Sequence, residues 1–108
     1  MTTGDVVILE FPFSDLAGSK VRPSVVVANV GKTDFIACQI TSNAVADPAA
    51  IELQPADFVA GGLTLRSFAR PGKLFTADER IVCKVVGRLT DLARNEIKDA
   101  VIRVIRNG

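Results

Sequence analysis

The chain has 108 residues, of which 48% are hydrophobic, and a formal net charge of +1. This length predicts one domain over residues 1–108, and the apolar fraction supports a packed core rather than a disordered chain. The near-neutral charge argues against a protein that coats nucleic acid without selectivity. Histidine is absent, so the usual near-neutral acid–base group is missing, and we predict neither a metal nor a cofactor.

The two cysteines, Cys38 and Cys83, each lie within an apolar run. A free cysteine in such a run behaves as a small hydrophobic residue, so both are predicted to be buried and unpaired. The opening residues MTTGDVV lack the regions of a signal peptide, and no apolar run approaches the ~20 residues of a membrane span. We therefore expect a cytoplasmic protein without a membrane partner.

The first half of the chain has the pattern of three strands separated by turns. Runs rich in Val, Ile and Phe predict strands at residues 5–11, 23–30 and 35–42. A loop of about ten residues is expected before Arg22. Pro23 is expected at the first position of the second strand, where it removes no ladder hydrogen bond. The turn GKTD predicts a hairpin between the second and third strands.

Alternation in the third strand separates two faces. The face predicted to lie in the core carries Ile36, Cys38 and Ile40. The opposite face carries Phe35, Ala37, Gln39 and Thr41. Two polar groups, Gln39 and Thr41, are therefore expected side by side near the end of this strand.

The second half mixes short extended segments with turns. A short strand is predicted at 51–54 and a single helical turn within 55–63, ended by a Gly-Gly pair. An extended segment at 67–77 with a Pro–Gly turn leads to TADE, where Thr76 begins a capping-box pattern that predicts a brief helical turn. The last strand is predicted at 81–89.

Residues 90–107 show sustained helical spacing. The apolar stripe consists of Ala93, Ile97, Ala100, Val101, Val104 and Ile105. It predicts a packing surface against the sheet or a second subunit. Together, five or so short strands and a closing helix predict a mainly β fold, a small barrel or curled sheet of mostly antiparallel strands with a C-terminal α-helix.

Basic residues concentrate in two windows without acidic residues, 16–33 and 58–77. These windows hold six of the thirteen basic residues: Lys20, Arg22, Lys32, Arg66, Arg70 and Lys73. If the windows meet in the folded chain, they form a positive patch on a nearly neutral protein. The alternative is that they are separate solvated loops.

Arg22 is the first candidate for chemistry. Pro23 keeps the preceding residue in extended geometry, which stiffens the backbone that carries the guanidinium. Arginine presents a planar fork of donors suited to phosphate and keeps its charge, so Arg22, beside Ser19 and Lys20, is a candidate phosphate site. The structural alternative is a surface arginine that extends over the edge of the sheet.

Two further segments offer polar groups. The end of the third strand, CQITSN, offers Gln39, Thr41, Ser42 and Asn43, although threonine is also an ordinary strand residue. The segment TLRSFARPGK adds Arg66, Ser67, Arg70 and Lys73.

Taken in order, these segments are similar to a known family. GDVV, FPF, GSKVRPSVVVANV, CQITSN, GGLTLRSFARPGKLFT and VVGRL resemble the MazF/PemK toxins of type II toxin–antitoxin systems. The match runs from Gly4 to the final helix. It rests most on GDVV, on the basic-Arg-Pro step before a valine-rich strand, and on ITS at the end of the next strand.

The resemblance implies an SH3-like barrel, usually dimeric, that cleaves single-stranded RNA at short specific sequences without a metal. It also implies a cognate antitoxin that blocks the RNA groove. Without that antitoxin, the toxin would inhibit translation and growth. By carry-over, the catalytic arginine falls on Arg22, the catalytic threonine on Thr41, and a mobile flap on residues 14–21. Some members have an acidic catalytic residue in the flap; Asp15 is the only candidate here, and we do not assign it.

The residue inventory suits RNA cleavage by the substrate's own 2′-hydroxyl. Arg22 would stabilise charge on the phosphorane and Thr41 would orient the 2′-hydroxyl or a phosphate oxygen. The residues expected to contact RNA are Ser19, Lys20, Gln39, Ser42, Asn43, Arg66, Ser67, Arg70 and Lys73. Tyr and Trp are absent, so few aromatic stacking platforms are expected.

Fold alone leaves other readings open. The same barrel serves toxins that bind and poison DNA gyrase, so a non-catalytic protein-binding inhibitor is the alternative function. A family member that only binds its antitoxin is the third. The Arg-Pro step together with ITS favours the nuclease.

Overall fold

A computed structural model describes residues 1–11 and 20–108, with the backbone alone described for Phe11 and Lys20. Within these residues one antiparallel sheet contains the strands β1 (Asp5–Phe11), β2 (Lys20–Asn29), β3 (Asp34–Thr41), β4 (Ile51–Leu53), β5 (Phe58–Gly61), β6 (Ser67–Asp78) and β7 (Val82–Leu89). The strand order is β4-β6-β3-β2-β1-β7-β5. Helix α1 (Asp91–Asn107) follows the sheet. The predicted mainly β, antiparallel fold with a C-terminal helix is confirmed; the sheet curls into a half-barrel.

The expected hairpin forms between β2 and β3, with Val25 opposite Cys38. The second strand begins three residues earlier than predicted, at Lys20, because β1 continues to Phe11 and supplies partners for it. Pro23 is therefore inside β2, opposite Ile8, rather than at its first position. This correction changes how the neighbouring Arg22 is held, as described below.

The sheet buries both of its faces. One core contains Val6, Val25, Cys38 and Ile40 and is covered by α1. The other contains Val7, Leu9, Val26, Phe35, Ala37 and Ala77. The prediction that Cys38 and Ile40 face a core is confirmed. The opposite face of β3 is also core over its first half, because strong curling packs that side of the sheet against itself.

The segment 67–78 is one strand rather than two segments joined by a turn. Its pairing with β3 shifts register between Cys38 and Ile40, so the predicted Pro–Gly turn is a bulge, and Pro71 is buried there. Thr76 is a strand residue, not a helix cap. The 3-10 turn Glu79–Ile81 is capped by Asp78, whose carboxylate accepts a hydrogen bond from the Arg80 N–H at 2.8 Å.

The helical turn predicted within 55–63 is a 3-10 turn at Pro55–Asp57, and the residues after it form β5. The end of β5 requires glycine. Gly61 has φ +63°, and a Cβ there would collide with the carbonyl oxygen of Val86. Glycine lets β5 approach β7 closely before the chain turns into the segment that leads to β6.

Helix α1 begins as predicted. The Thr90 side chain accepts a hydrogen bond from the Ala93 N–H at 3.1 Å. The stripe buries Ala93, Ile97 and Ala100, whereas Ile105 is 71% exposed because it lies on the side of the stripe where Val101 is only half-buried. Among the helices of the described residues, none is long and apolar enough to cross a membrane.

The two cysteines differ. Cys38 is buried as predicted, its thiol donates to the carbonyl oxygen of Arg70 at 2.9 Å, and burial raises its pKa to about 12. Cys83, predicted to be buried, is exposed on β7. Cys83 lies at a register shift between β1 and β7, where Ile8 pairs with Lys84 and Leu9 with Val82, so Cys83 itself has no partner in β1.

Candidate active site

Arg22 and Thr41 come together where β2 and β3 separate. At this end of the hairpin, the last pair between the two strands is Ser24 with Gln39, and in the described residues none follows it. Continuing the same antiparallel register by two residues places Arg22 opposite Thr41. Arg22 is paired instead with Leu9 of β1, and Thr41 is paired with Phe68 of β6.

Pro23 explains why the ladder stops at Ser24. The carbonyl oxygen of Val26 accepts a hydrogen bond from the Gly4 N–H at 2.8 Å, so the backbone polar groups of Val26 point toward the β1 side. Alternation turns those of Ser24 the same way and those of Pro23 toward β3. Proline has no N–H to donate there. The strands part at this point and open a cleft.

The cleft has a volume of about 280 Å³. It is lined by Val21, Arg22, Pro23, Ile40, Thr41, Ser42, Leu63, Thr64, Leu65 and Ser67. Arg22 is the one charged side chain in this described lining, and it is exposed without an ion-pair partner in residues 1–11 and 20–108. Its guanidinium is therefore available to an anion.

The Thr41 hydroxyl is held in place by the loop that follows β3. Its Oγ1 accepts a hydrogen bond from the Asn43 N–H and donates to the Asn43 carbonyl oxygen, both at 3.1 Å. A hydroxyl has a second lone pair, so Oγ1 can accept one more hydrogen bond from a ligand. On the neighbouring strand β6, Ser67 also lines the cleft; it is buried and donates to the Leu65 carbonyl oxygen at 2.7 Å. The exposed Ser42 lies beside them.

A second cleft of about 340 Å³ adjoins the first at Ser42. It is lined by Ser42, Asn43, Ala44, Val45, Arg66 and Phe68. Asn43 is fixed by its Oδ1, which accepts from the Val45 N–H at 3.2 Å. Arg66 makes two hydrogen bonds to the Glu52 carboxylate, which lower the pKa of Glu52 below its usual range.

The remaining predicted RNA-contacting residues lie elsewhere or outside the described residues. Gln39 is half-buried on β3, and Lys73 is exposed in the bulge of β6, next to Gly72, which faces Val104 of α1. Neither lines the two clefts as described, nor does Arg70. Ser19 and Asp15 fall outside the described residues, as does most of the predicted flap; Lys20 pairs with Phe11 through its backbone.

The two basic windows meet only in part. Arg22 and Arg66 both border the segment Leu63–Leu65, whereas Lys32 lies in the hairpin turn at the opposite end of β2. Acidic residues from outside the windows also form ion pairs with two of these arginines. Asp47 pairs with Arg70 at 2.7 Å, and Glu52 pairs with Arg66 at the same distance. Charge counted along the chain misses such partners, because strand pairing brings them from distant positions.

Sequence reasoning gave no role to the wall of the cleft formed by Leu63, Thr64 and Leu65. It also gave none to Phe68, which lies between Thr41 and Glu52 in the sheet. The Gly-Gly pair before Leu63 was the available signal for the first, because it marks a tight change of direction. In the described residues, no group of three or more His, Cys, Asp or Glu side chains could hold a metal ion.

Comparison with known proteins agrees with this architecture. The family model of the PemK-like, MazF-like toxins of type II toxin–antitoxin systems matches residues 2–105. Among curated protein sequences, none matches the chain.

Several solved structures share the fold. A MazE–MazF complex from Deinococcus radiodurans has a TM-score of 0.78 and 18% identity, covering 100% of this chain and 97% of that chain. An endoribonuclease from a mycobacterial species has a TM-score of 0.73 and 18% identity, covering 98% and 91%. The Mycobacterium tuberculosis toxin MazF-mt6 has a TM-score of 0.72 and 14% identity, covering 94% and 96%.

Identities this low establish the shared fold and nothing more. The family follows from the model match, which spans nearly the whole chain and agrees with the resemblance found in the sequence. This chain belongs to the PemK-like, MazF-like toxins of type II toxin–antitoxin systems.

Proposed function

We propose that this protein is a sequence-specific endoribonuclease toxin that cuts single-stranded RNA without a metal, by attack of the 2′-hydroxyl on the adjacent phosphorus. The observation that carries the proposal is the meeting of Arg22 and Thr41 on one cleft, from strands whose ladder Pro23 interrupts. Family membership supports it, as do the fold neighbours described as endoribonucleases. In the cell, cleavage of mRNA would inhibit translation and growth.

Arg22 is assigned to the phosphate. Attack by the 2′-oxygen, which loses its proton, forms a pentacoordinate phosphorane that carries extra negative charge. The P–O5′ bond then breaks, which leaves a 2′,3′-cyclic phosphate on one product and, once the leaving oxygen takes up a proton, a 5′-hydroxyl on the other. An exposed guanidinium without an ion-pair partner in the described chain can place its donors where that charge develops. A guanidinium has N–H donors and no acceptor, so Arg22 cannot act as the general base.

Thr41 is assigned to positioning the nucleophile. Its hydroxyl is fixed by Asn43 on two sides, and the lone pair that remains can accept a hydrogen bond from the 2′-hydroxyl. No carboxylate lines the described cleft, so we assign no side chain as the base. The expected enzyme relies on alignment and charge stabilisation, and it is slow for that reason.

The substrate is expected to be unpaired RNA. Base-specific recognition of RNA works mostly on single strands whose bases are splayed out, and the two adjoining clefts provide an open surface of mixed polar and apolar side chains for such a strand. We also propose that the protein forms a homodimer and that a cognate antitoxin neutralises it. A fold neighbour described as an endoribonuclease in complex with its cognate antitoxin supports the second point.

Substitution of the two site residues tests the proposal. Arg22→Ala and Thr41→Ala should each lower single-turnover cleavage of a long single-stranded RNA by about 100- to 1000-fold, the usual loss for one donor. Thr41→Ser should retain activity because it keeps the hydroxyl. Arg80→Ala is the control for charge, since Arg80 is 87% exposed and pairs with Asp78 away from the clefts. Unchanged unfolding curves would show that the fold is intact, and full activity in either alanine variant would refute the assignment.

A chelator separates the nuclease from a toxin that only binds a protein such as DNA gyrase. Purified protein incubated with RNA and excess EDTA should still yield 2′,3′-cyclic phosphate ends. Absence of cleavage with and without EDTA would favour a non-catalytic binder.

A further inference from the structure

A row of paired residues crosses the sheet beside the cleft. Phe68 on β6 pairs with Thr41 of β3 on one side and with Glu52 of β4 on the other. Residues directly opposite one another in an antiparallel sheet point to the same face, about 5 Å apart between Cβ atoms. The ring of Phe68 is therefore the immediate neighbour of the Thr41 side chain, and Glu52 lies one strand further out.

Arg66 folds back over this row. Its guanidinium carbon lies 5.2 Å from the centroid of the Phe68 ring. Its Nε and Nη2 donate to Oε2 and Oε1 of Glu52 at 2.7 and 3.1 Å. The bidentate pair occupies one edge of the guanidinium plane. The guanidinium lies over the Phe68 ring, and the Arg66 side chain is 72% exposed, so much of the guanidinium is accessible from solvent.

This arrangement changes the role expected for Arg66. Glu52 already engages Nε and Nη2 and neutralises the charge of the guanidinium, so Arg66 attracts the RNA backbone less than the unpaired Arg22 does. A planar guanidinium that Glu52 holds and that lies over the Phe68 ring is instead a surface on which an unpaired base can stack. Bases stack in this way on arginine side chains in RNA complexes. The Arg66 guanidinium adds a stacking surface to a chain that has phenylalanine but neither Tyr nor Trp.

We infer that Arg66, held by Glu52 and backed by Phe68, is a stacking platform for one unpaired nucleobase of the RNA, close to the scissile phosphate. The inference rests on the proposed function and adds a base-binding subsite to it. Asn43 lines the same cleft with its Oδ1 occupied by the Val45 N–H, which leaves its amide N–H groups to donate to the edge of that base.

The test measures whether the contribution of one base to RNA binding depends on Arg66. The probe is a fluorescent pool of short single-stranded RNA of random sequence, made uncleavable by 2′-fluoro sugars, in which one defined position at a time lacks its base. Affinity is measured by anisotropy for the unmodified protein, for Arg66→Lys and Glu52→Gln, and for the control Arg80→Ala. Arg66→Lys keeps the charge and removes the plane.

In the unmodified protein, removal of the base at one position should weaken binding by about 5- to 100-fold, the range expected for one stacked base. In Arg66→Lys, removal of the same base should leave the affinity almost unchanged. In Glu52→Gln, the loss of affinity should be clearly smaller than in the unmodified protein. Arg80→Ala should show the full loss. The salt dependence of Arg66→Lys should match that of the unmodified protein.

The outcomes separate the two proposals. A loss at the same position that is equal in the unmodified protein and in Arg66→Lys overturns the platform, as does the lack of any position-dependent loss. Cleavage of ordinary RNA is measured in parallel. Binding with a loss that depends on Arg66 but without cleavage would overturn the nuclease and keep the platform, whereas failure to bind the pool would overturn both.

Discussion

At the scale of single residues, the partner of each arginine distinguishes its role. Of the three arginines predicted to contact phosphate or RNA, Arg66 is paired with Glu52 and Arg70 with Asp47. Arg22 has no such partner in the described part of the chain. An arginine already neutralised by a carboxylate attracts a phosphate less than one that is not. The geometry therefore concentrates the available positive charge of the cleft on Arg22.

Asp47 ties the loop after β3 to the bulge of β6, and its contribution to stability should depend on pH. The hydrogen bond from Arg70 lowers the pKa of Asp47 below its usual value. A lowered folded-state pKa stabilises the protein above the unfolded value of about 3.9, and this stabilisation is lost as pH falls through the folded pKa. Asp47→Asn should therefore lower the free energy of unfolding at pH 7 by up to about 1 kcal/mol, with the difference shrinking in acid.

Urea unfolding at neutral and acidic pH measures this difference. Asp91→Asn is the matched control, because Asp91 is 88% exposed and its ion pair lies on the surface of α1. A deficit in Asp47→Asn that stays constant down to low pH would contradict the role given to the ion pair.

At the scale of elements, one proline shapes the site. Pro23 stops the β2–β3 ladder because its position requires an N–H that faces β3. Pro23→Val restores that donor and should let the strands pair through Ile40, which narrows the cleft and displaces Arg22 from Thr41. Cleavage should then fall by roughly 10- to 100-fold, the loss typical of a small misplacement of catalytic groups.

Hydrogen exchange and cleavage rates on the same variant check this account. The new amide at position 23 should exchange slowly, and thermal stability should not fall. Pro48→Ala, in the exposed loop after β3, is the control for loss of a proline. A Pro23→Val variant with full activity would show that the interruption of the ladder is incidental to the cleft.

At the scale of the whole molecule, α1 closes the core that supports the strands of the site. Ile97 is 1% exposed and packs in the core beneath β2 and β3. Ile97→Ala should lower the free energy of unfolding by about 2–5 kcal/mol, a large share of a stability of about 5–15 kcal/mol. Ile105→Ala makes the same change at a position that is 71% exposed and should cost at most about 0.5 kcal/mol. Equal losses in chemical denaturation would mean that α1 packs through a different face.

Local patterns determined much of this fold. Alternating apolar residues, turn residues and the helical spacing of residues 90–107 located most of the strands, the β2–β3 hairpin and α1, because each of these signals acts over a few neighbouring residues. The same signals suggested Arg22 and Thr41, through the rigidity of an Arg-Pro step and the end of a strand. They were wrong at Thr76, which pairs with Ile36 of β3, and at the Pro–Gly step, which forms a bulge inside β6 rather than a turn between two segments.

Everything that depends on register was decided by the folded sheet. Local alternation shows which residues share a face of a strand, but not which residue of another strand stands opposite, because that pairing is made between distant parts of the chain. Burial of both faces of β3, the ion pair between Asp47 and Arg70, and the row from Glu52 through Phe68 to Thr41 all arise in this way. So does the meeting of Arg22 with Thr41: the sequence named the two residues, and the separation of β2 from β3 at Pro23 placed them on one cleft.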